Sequence, residues 1–249
     1  MGVQQYEQYY STMRSVISIL LLLACVWASG QVMGRYPHSR SMGEPPEPPP
    51  PSGWTNIVGY WALTGGVLTD SAGTDDMSAT GAVNRGDTAY YFDGVGDFLS
   101  WTGTVNTEAT YLFEIWPLAY GAYDLMGGAN GAQEIALYDV STSLRPRALI
   151  GGGSGATVAT ATLITGQWNQ VSVSFSDSGD SIVYGVNGVY QTVTDWEETT
   201  TAVTNTIGTG TLGSDFYGYI RRFWQFSDVK TESYKTAMEG VHYTDGDPE

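Results

Sequence analysis

One cysteine, two histidines and few basic residues are what this 249-residue chain has least of, and each shortage excludes a class of protein. The single cysteine, Cys25, lies in an apolar stretch near the N-terminus, so no disulfide framework can form within a domain further along. His38 falls in a proline-rich stretch and His242 near the C-terminus, which leaves the middle of the chain without a base for a Ser-His device and without a zinc ligand set. Before Gly53 three basic residues balance three acidic ones; beyond it five Arg and two Lys face 23 carboxylates, so the net charge of −16 belongs to that later region. Binding to a phosphate backbone relies on Lys and Arg to release counterions, which excludes nucleic acid as a partner. The acidic excess is read either as a solvated surface or as a setting for calcium.

Proline is scarce where a fold is expected, because seven of the ten prolines lie between Pro37 and Pro51. The run EPPEPPPPS, Glu44 to Ser52, favours an extended polyproline helix and reads as a semi-rigid spacer. Apolar runs are short as well. Val16 to Ala28, VISILLLLACVWA, is about thirteen residues where a bilayer span needs roughly 20. With Arg14 as positive flank it reads as a signal-peptide core, cut before Gln31 or after Ala28, or as an N-terminal membrane anchor. Leu22 to Cys25 also resembles a lipobox that would lipidate Cys25; the plainer reading is a small apolar residue in a hydrophobic segment. The chain divides into a leader at 1–30, a linker at 31–53, a folded domain at 54–243 and an acidic tail at 244–249.

The folded region is rich in Gly, Thr, Val, Tyr and Trp, which favour strands and tight turns. In WNQVSVSF, Val171, Val173 and Phe175 share one face and Gln170, Ser172 and Ser174 the other, which predicts a strand with one face buried. Asn187-Gly188, between two apolar runs, predicts a type I′ hairpin. FYGYIRRFWQF alternates too, with Phe216, Ile220, Trp224 and Phe226 on one face and Tyr217, Tyr219, Arg221 and Phe223 opposite, which predicts a central strand. One short helix is expected where Thr231 caps ESYKTAM and Gly240 closes it.

The order of segments then resembles the laminin G-like and pentraxin-like branch of the concanavalin A-like lectin superfamily. GYWALTG (59–65) is followed by an Asp-Ser-small-Gly turn at Asp70 to Gly73, and by FDGVGDFL (92–99). GQWNQVSVSF (166–175), VYGVNGVY (183–190) and the Phe216-x-Gly218-x-Ile220 strand complete the series, with SDVKTESYKTAME resembling the closing helix. The resemblance implies an all-β fold: a two-sheet antiparallel jelly-roll β-sandwich, concanavalin A-like, with one short C-terminal helix. Arg221 departs from the pattern, since many relatives carry an acidic residue there.

Some members of the superfamily are glucanases, which need two carboxylates facing each other across a sugar, typically at i and i+4 of one strand. Glu114 and Glu134 are the nearest candidates, but Leu118 and Tyr138 occupy the partner positions, so each reads as an outward or strand-edge carboxylate and the chain as no enzyme. The glycine run GGGSG at Gly151 to Gly155 lacks a following Lys-Ser/Thr and reads as a loop. Asp70, Asp93 and Asp97 are the candidate calcium ligands; the competing reading is that Asp93, before Gly94, bonds its own turn. Sugar binding by sandwiches stacks aromatic faces on rings, so Tyr120, Tyr123 and Trp196, beside turn residues, are the candidate ligand contacts. The expected function is non-enzymatic recognition of an extracellular glycan or glycoprotein by an exported protein, secreted or tethered through its N-terminal segment. The alternatives are a structural subunit of a virion, spike or appendage, and a divergent glycosidase.

Overall fold

Short runs of branched and aromatic residues broken by Gly, Asn and Asp leave the backbone little choice but strands joined by tight turns. The computed structural model describes residues 56–63, 68–81, 83–84, 89–103, 108–128, 133–139, 143–150, 157–176, 178–194, 204–210 and 214–235. The leader with Cys25, the proline spacer, the GGGSG run, Trp196, Gly240 and the acidic tail lie outside these residues. The strands are β1 Ile57–Ala62, β2 Ser78–Thr80, β3 Val83–Asn84, β4 Tyr90–Asp93, β5 Phe98–Thr102, β6 Glu108–Pro117, β7 Tyr123–Gly128 and β8 Gln133–Asp139. They continue as β9 Leu144–Ile150, β10 Thr157–Val158, β11 Asn169–Ser176, β12 Ser181–Val186, β13 Val189–Thr194, β14 Thr204–Ile207, β15 Ser214–Asp215 and β16 Tyr217–Phe226.

Two sheets result. Sheet A has the order β13-β12-β11-β6-β16-β4-β3, with β1 also on β16; sheet B has the order β10-β9-β8-β7-β14-β5-β2, with β15 on β7. The pairings are antiparallel apart from the two-residue contact of β15 with β7. Strands distant in sequence are neighbours in space, as where β16 lies against β6, and the two inner faces enclose one apolar core. This is the antiparallel jelly-roll sandwich expected from the motif order. Phe223 sits at the core's centre, its ring 4.9 Å from Phe113, 5.2 Å from Trp61 and 5.4 Å from Trp101. Burying one such ring contributes about 1.5–3 kcal/mol, before the further gain from ring-ring geometry.

Two sequence expectations need correction. On β11 the alternation is as predicted, with Val171, Val173 and Phe175 inward, but Gln170, Ser172 and Ser174 on the outward face are buried as well. On β16 the phase changes midway: a bulge between Ile220 and Arg222 inserts an extra residue, Arg221. Phe216, Ile220 and Phe223 therefore all enter the core, while Trp224 and Phe226 join a second cluster with Tyr60, Ala62 and Leu112 on the outward face of sheet A. Strict alternation had put Phe223 opposite Phe216, and the bulge is the physical reason it is not. The central position of β16 and the hairpin agree with expectation, Asn187 and Gly188 holding φ of 48° and 80°.

Residues 232–235 form the helical turn, capped as predicted, with Thr231 Oγ1 accepting from the Tyr234 amide at 3.3 Å. Tyr234 packs against the outward cluster, Lys235 is fully buried with Nζ donating to Ser174 Oγ at 3.1 Å, and Lys230 pairs with Asp228 at 2.8 Å. One end of the outward face of sheet A is thus covered by the chain's own C-terminal turn.

Candidate functional site

The other end of that face carries a row of aromatic rings. Alternation along β4, β6 and β16 and the lead-in to β11 turns Tyr91, Trp116, Tyr219 and Trp168 away from the core, and the register brings them side by side. Tyr91 is opposite Tyr219, and Tyr219 opposite Trp116. The Tyr91 and Tyr219 rings lie 5.1 Å apart, and Trp116 meets Trp168 edge-on at 5.7 Å. Tyr217 adds an edge contact to Tyr91 at 6.4 Å. All five are half-buried, and Tyr217 also packs against the core. With neighbouring strands 4.7–4.9 Å apart, four adjacent positions span roughly 14 Å, longer than one sugar ring.

Behind the row lies a polar layer. Glu114 on β6 is opposite Arg222 on β16 and Gln170 on β11. Its Oε2 accepts from Arg221 Nε at 2.7 Å and from Arg222 Nη1 at 2.8 Å. The Arg221 guanidinium lies 4.3 Å from the Trp168 ring, so the bulge that displaces Arg221 from the alternation also stacks it on the aromatic row. Glu114, Arg221, Arg222 and Gln170 are each 3–6% exposed. The expectation of an outward carboxylate at Glu114 is therefore corrected: it leaves the core on the outward side but is buried, because two guanidinium groups close over it. Glu134 on β8 is likewise buried, at 1% exposure, and not a strand-edge carboxylate.

The loop aromatics divide. Tyr120 is 49% exposed, whereas Tyr123 is a core residue packed edge-on against Phe216, its hydroxyl donating to the Tyr120 carbonyl at 3.4 Å. Tyr123 is corrected from ligand contact to packing: as the first residue of β7 it points toward sheet A, and burial pushes its hydroxyl pKa up. Trp196 lies outside the described residues.

The three aspartates are not brought together as one set. Asp70 Oδ1 accepts from the amides of Tyr60 and Ala72, both at 2.9 Å, and so ties β1 to its following turn. Asp93 Oδ1 accepts from the Val95 amide at 2.7 Å, and Asp97 Oδ2 from the Asp93 amide at 2.8 Å. Asp215 joins the same loop through the Gly96 amide at 2.6 Å. Burial, with the charges of Asp93 and Asp215 adding to it, raises the Asp97 pKa above the ordinary carboxylate value, while the bond from the Asp93 amide opposes the shift. Among the described residues no group of three or more His, Cys, Asp or Glu could hold a metal ion.

The aromatic row lies on strands and not in the loops where Tyr120, Tyr123 and Trp196 stand, yet its signal is present in the sequence. Trp168 shares parity with Gln170 and Ser172, Trp116 with Glu114, and Tyr217 with Tyr219. Outward aromatics on three neighbouring strands mark a surface only once the register is known.

Solved structures share this fold. Domain 4 of AbnA, a GH43 extracellular arabinanase from Geobacillus stearothermophilus, solved in complex with arabinotriose, is 18% identical with a TM-score of 0.56, over 74% of this chain and 98% of that one. A native heptameric SAP-like pentraxin from Limulus polyphemus is 16% identical with a TM-score of 0.52, over 61% and 82%. Botulinum neurotoxin type C, whose cell entry depends on two ganglioside molecules, is 13% identical with a TM-score of 0.58, over 76% of this chain and 52% of that chain. No family model matches the sequence, and no curated protein matches it. At these identities the likeness establishes the fold alone, an antiparallel β-sandwich.

Proposed function

We propose that this domain is a non-catalytic glycan-recognition module of the laminin G-like kind, and that sugar docks on the aromatic row of sheet A. The observation that carries the reading is the row itself: Tyr91, Tyr219, Trp116 and Trp168 side by side and half-buried on one sheet face, beside a buried polar layer. Sugar rings present CH patches between hydroxyls, so a site that holds them combines aromatic faces with fixed polar groups. Support comes also from the similar folds, one solved with arabinotriose and another from a toxin that interacts with gangliosides. Glu114 supports binding over hydrolysis, because it is buried with its Oε2 engaged by both guanidinium groups instead of facing a second carboxylate across an open cleft. The apolar leader and proline spacer fit an exported protein whose domain is held off a surface and meets glycan or glycoprotein outside the cell.

A glycan array probed with the purified chain tests this. Wild-type protein is expected to bind a defined set of oligosaccharides, Trp116→Ala or Tyr219→Ala to lose most of that signal, and Tyr120→Ala to keep it. Signal unchanged by Trp116→Ala and Tyr219→Ala would show that the row is not the binding surface.

A further inference from the structure

Two neighbouring amide side chains on β11 are treated very differently by the fold. Asn169, 1% exposed, is saturated: its Nδ2 donates to the carbonyls of Ile164 and Gln167, and its Oδ1 accepts from the Ile164 amide and from Asn187 Nδ2. Gln170, 3% exposed, has a backbone locked to the hairpin, its amide donating to Asn187 Oδ1 at 2.8 Å and its carbonyl accepting from the Asn187 amide at 3.1 Å. Yet both polar atoms of its side chain are buried without a hydrogen-bond partner. Two residues earlier on the same face, Trp168 Nε1 is also buried and unpartnered. Interiors rarely leave one such atom unsatisfied, and three together at the edge of an aromatic row mark a place prepared for groups from outside the chain.

We infer that Gln170 and Trp168 form the hydrogen-bonding end of the sugar site and that the sugar they hold is uncharged, recognised through a pair of adjacent hydroxyls. This rests on the glycan reading and specifies it. A primary amide offers one acceptor and one donor side by side, and vicinal hydroxyls, each able to do both, match that pair in a way a lone carboxylate cannot. The Trp168 indole supplies one further donor. Both arginines beside Gln170 already bond Glu114, and Arg221 is also stacked on Trp168, so the cations next to the amide are engaged. The domain's 23 carboxylates against seven basic residues oppose an acidic sugar from a distance as well.

Calorimetric titration of the full-length chain with cellotetraose, laminaritetraose, mannotetraose and tetragalacturonate, at low and high salt, tests the inference. At least one neutral tetrasaccharide is expected to bind with little salt dependence and tetragalacturonate not to bind. Gln170→Met, close in volume but with neither donor nor acceptor, is expected to weaken that binding at least about tenfold. Its melting temperature is expected to be equal or higher, since an unsatisfied buried amide has been removed. Gln170→Glu, which keeps acceptors and loses the donor, is also expected to bind weakly. Gln170→Met with a raised melting temperature and unchanged affinity would reduce Gln170 to a buried unsatisfied amide and overturn the inference. Preference for tetragalacturonate would also overturn it, while leaving glycan recognition standing. Binding of none of the four would sink the glycan reading along with it.

Discussion

Single residues carry the electrostatic consequences of this fold. Asp97 has a folded-state pKa above its ordinary 3.8, chiefly through burial, so ionising it costs more in the folded protein than in the unfolded chain. The stability tied to that group is present below the unfolded pKa and is lost as pH rises through the folded pKa. Asp97→Asn retains an oxygen for the Asp93 amide and has no charge to bury. Its melting temperature is expected to exceed wild type at pH 7 and to converge with it near pH 4, as followed by circular dichroism. A difference that grows toward acid pH would contradict this assignment. Glu114 is the reverse case, a buried charge that its neighbours need. Glu114→Gln leaves Arg221 and Arg222 buried against a neutral amide and is expected to cost about 3–5 kcal/mol in urea unfolding. At this scale the sequence identified the carboxylates but not their burial. Which side chains close over a group depends on strands more than 100 positions away, as Arg221 is from Glu114.

Elements show where local rules suffice. The β12–β13 turn followed from Asn187-Gly188 alone, because few residue pairs tolerate positive φ at both central positions. Gly188→Ala is expected to destabilise by about 1–2 kcal/mol in chemical denaturation, the approximate penalty for a Cβ in left-handed backbone. The strand β16 shows where local rules stop. Its apolar residues were all legible, but alternation predicts a regular strand, and a bulge is detectable only from the partner's register. Deleting Arg221 would restore regular pairing with β6 while keeping Phe223 inward and Trp224 and Phe226 outward, because Arg222 and Phe223 already pair with Glu114 and Phe113. The expected result is a folded chain that keeps its far-ultraviolet strand signal but unfolds at lower urea than wild type, since Glu114 loses one of its two guanidinium partners.

At the scale of the molecule, the acidic excess raises the question of divalent ions. Asp70, Asp93 and Asp97 each commit carboxylate oxygens to backbone amides, and no metal-holding group occurs among the described residues. Millimolar calcium is accordingly expected to shift the melting temperature no further than equal magnesium, by scanning calorimetry. A shift specific to calcium and lost on Asp93→Asn would restore the metal reading. The covering of sheet A belongs to this scale too. The capped turn at 232–235 brings Tyr234 and Lys235 over one end of the outward face, leaving the aromatic row at the other.

Strand content, the hairpin, the helix cap and the order of motifs leading to a jelly-roll were determined by the sequence alone. Each depends on side-chain branching, turn chemistry or period-two patterning over a few residues. The tertiary structure alone decided that Tyr91, Tyr219, Trp116 and Trp168 are neighbours, that Tyr123 packs in the core, and that Gln170 is buried with its amide unsatisfied. The physical reason is that a sheet's outward face is assembled by hydrogen-bond register between strands far apart in sequence. A surface formed that way has no local signature, however clear each strand that builds it.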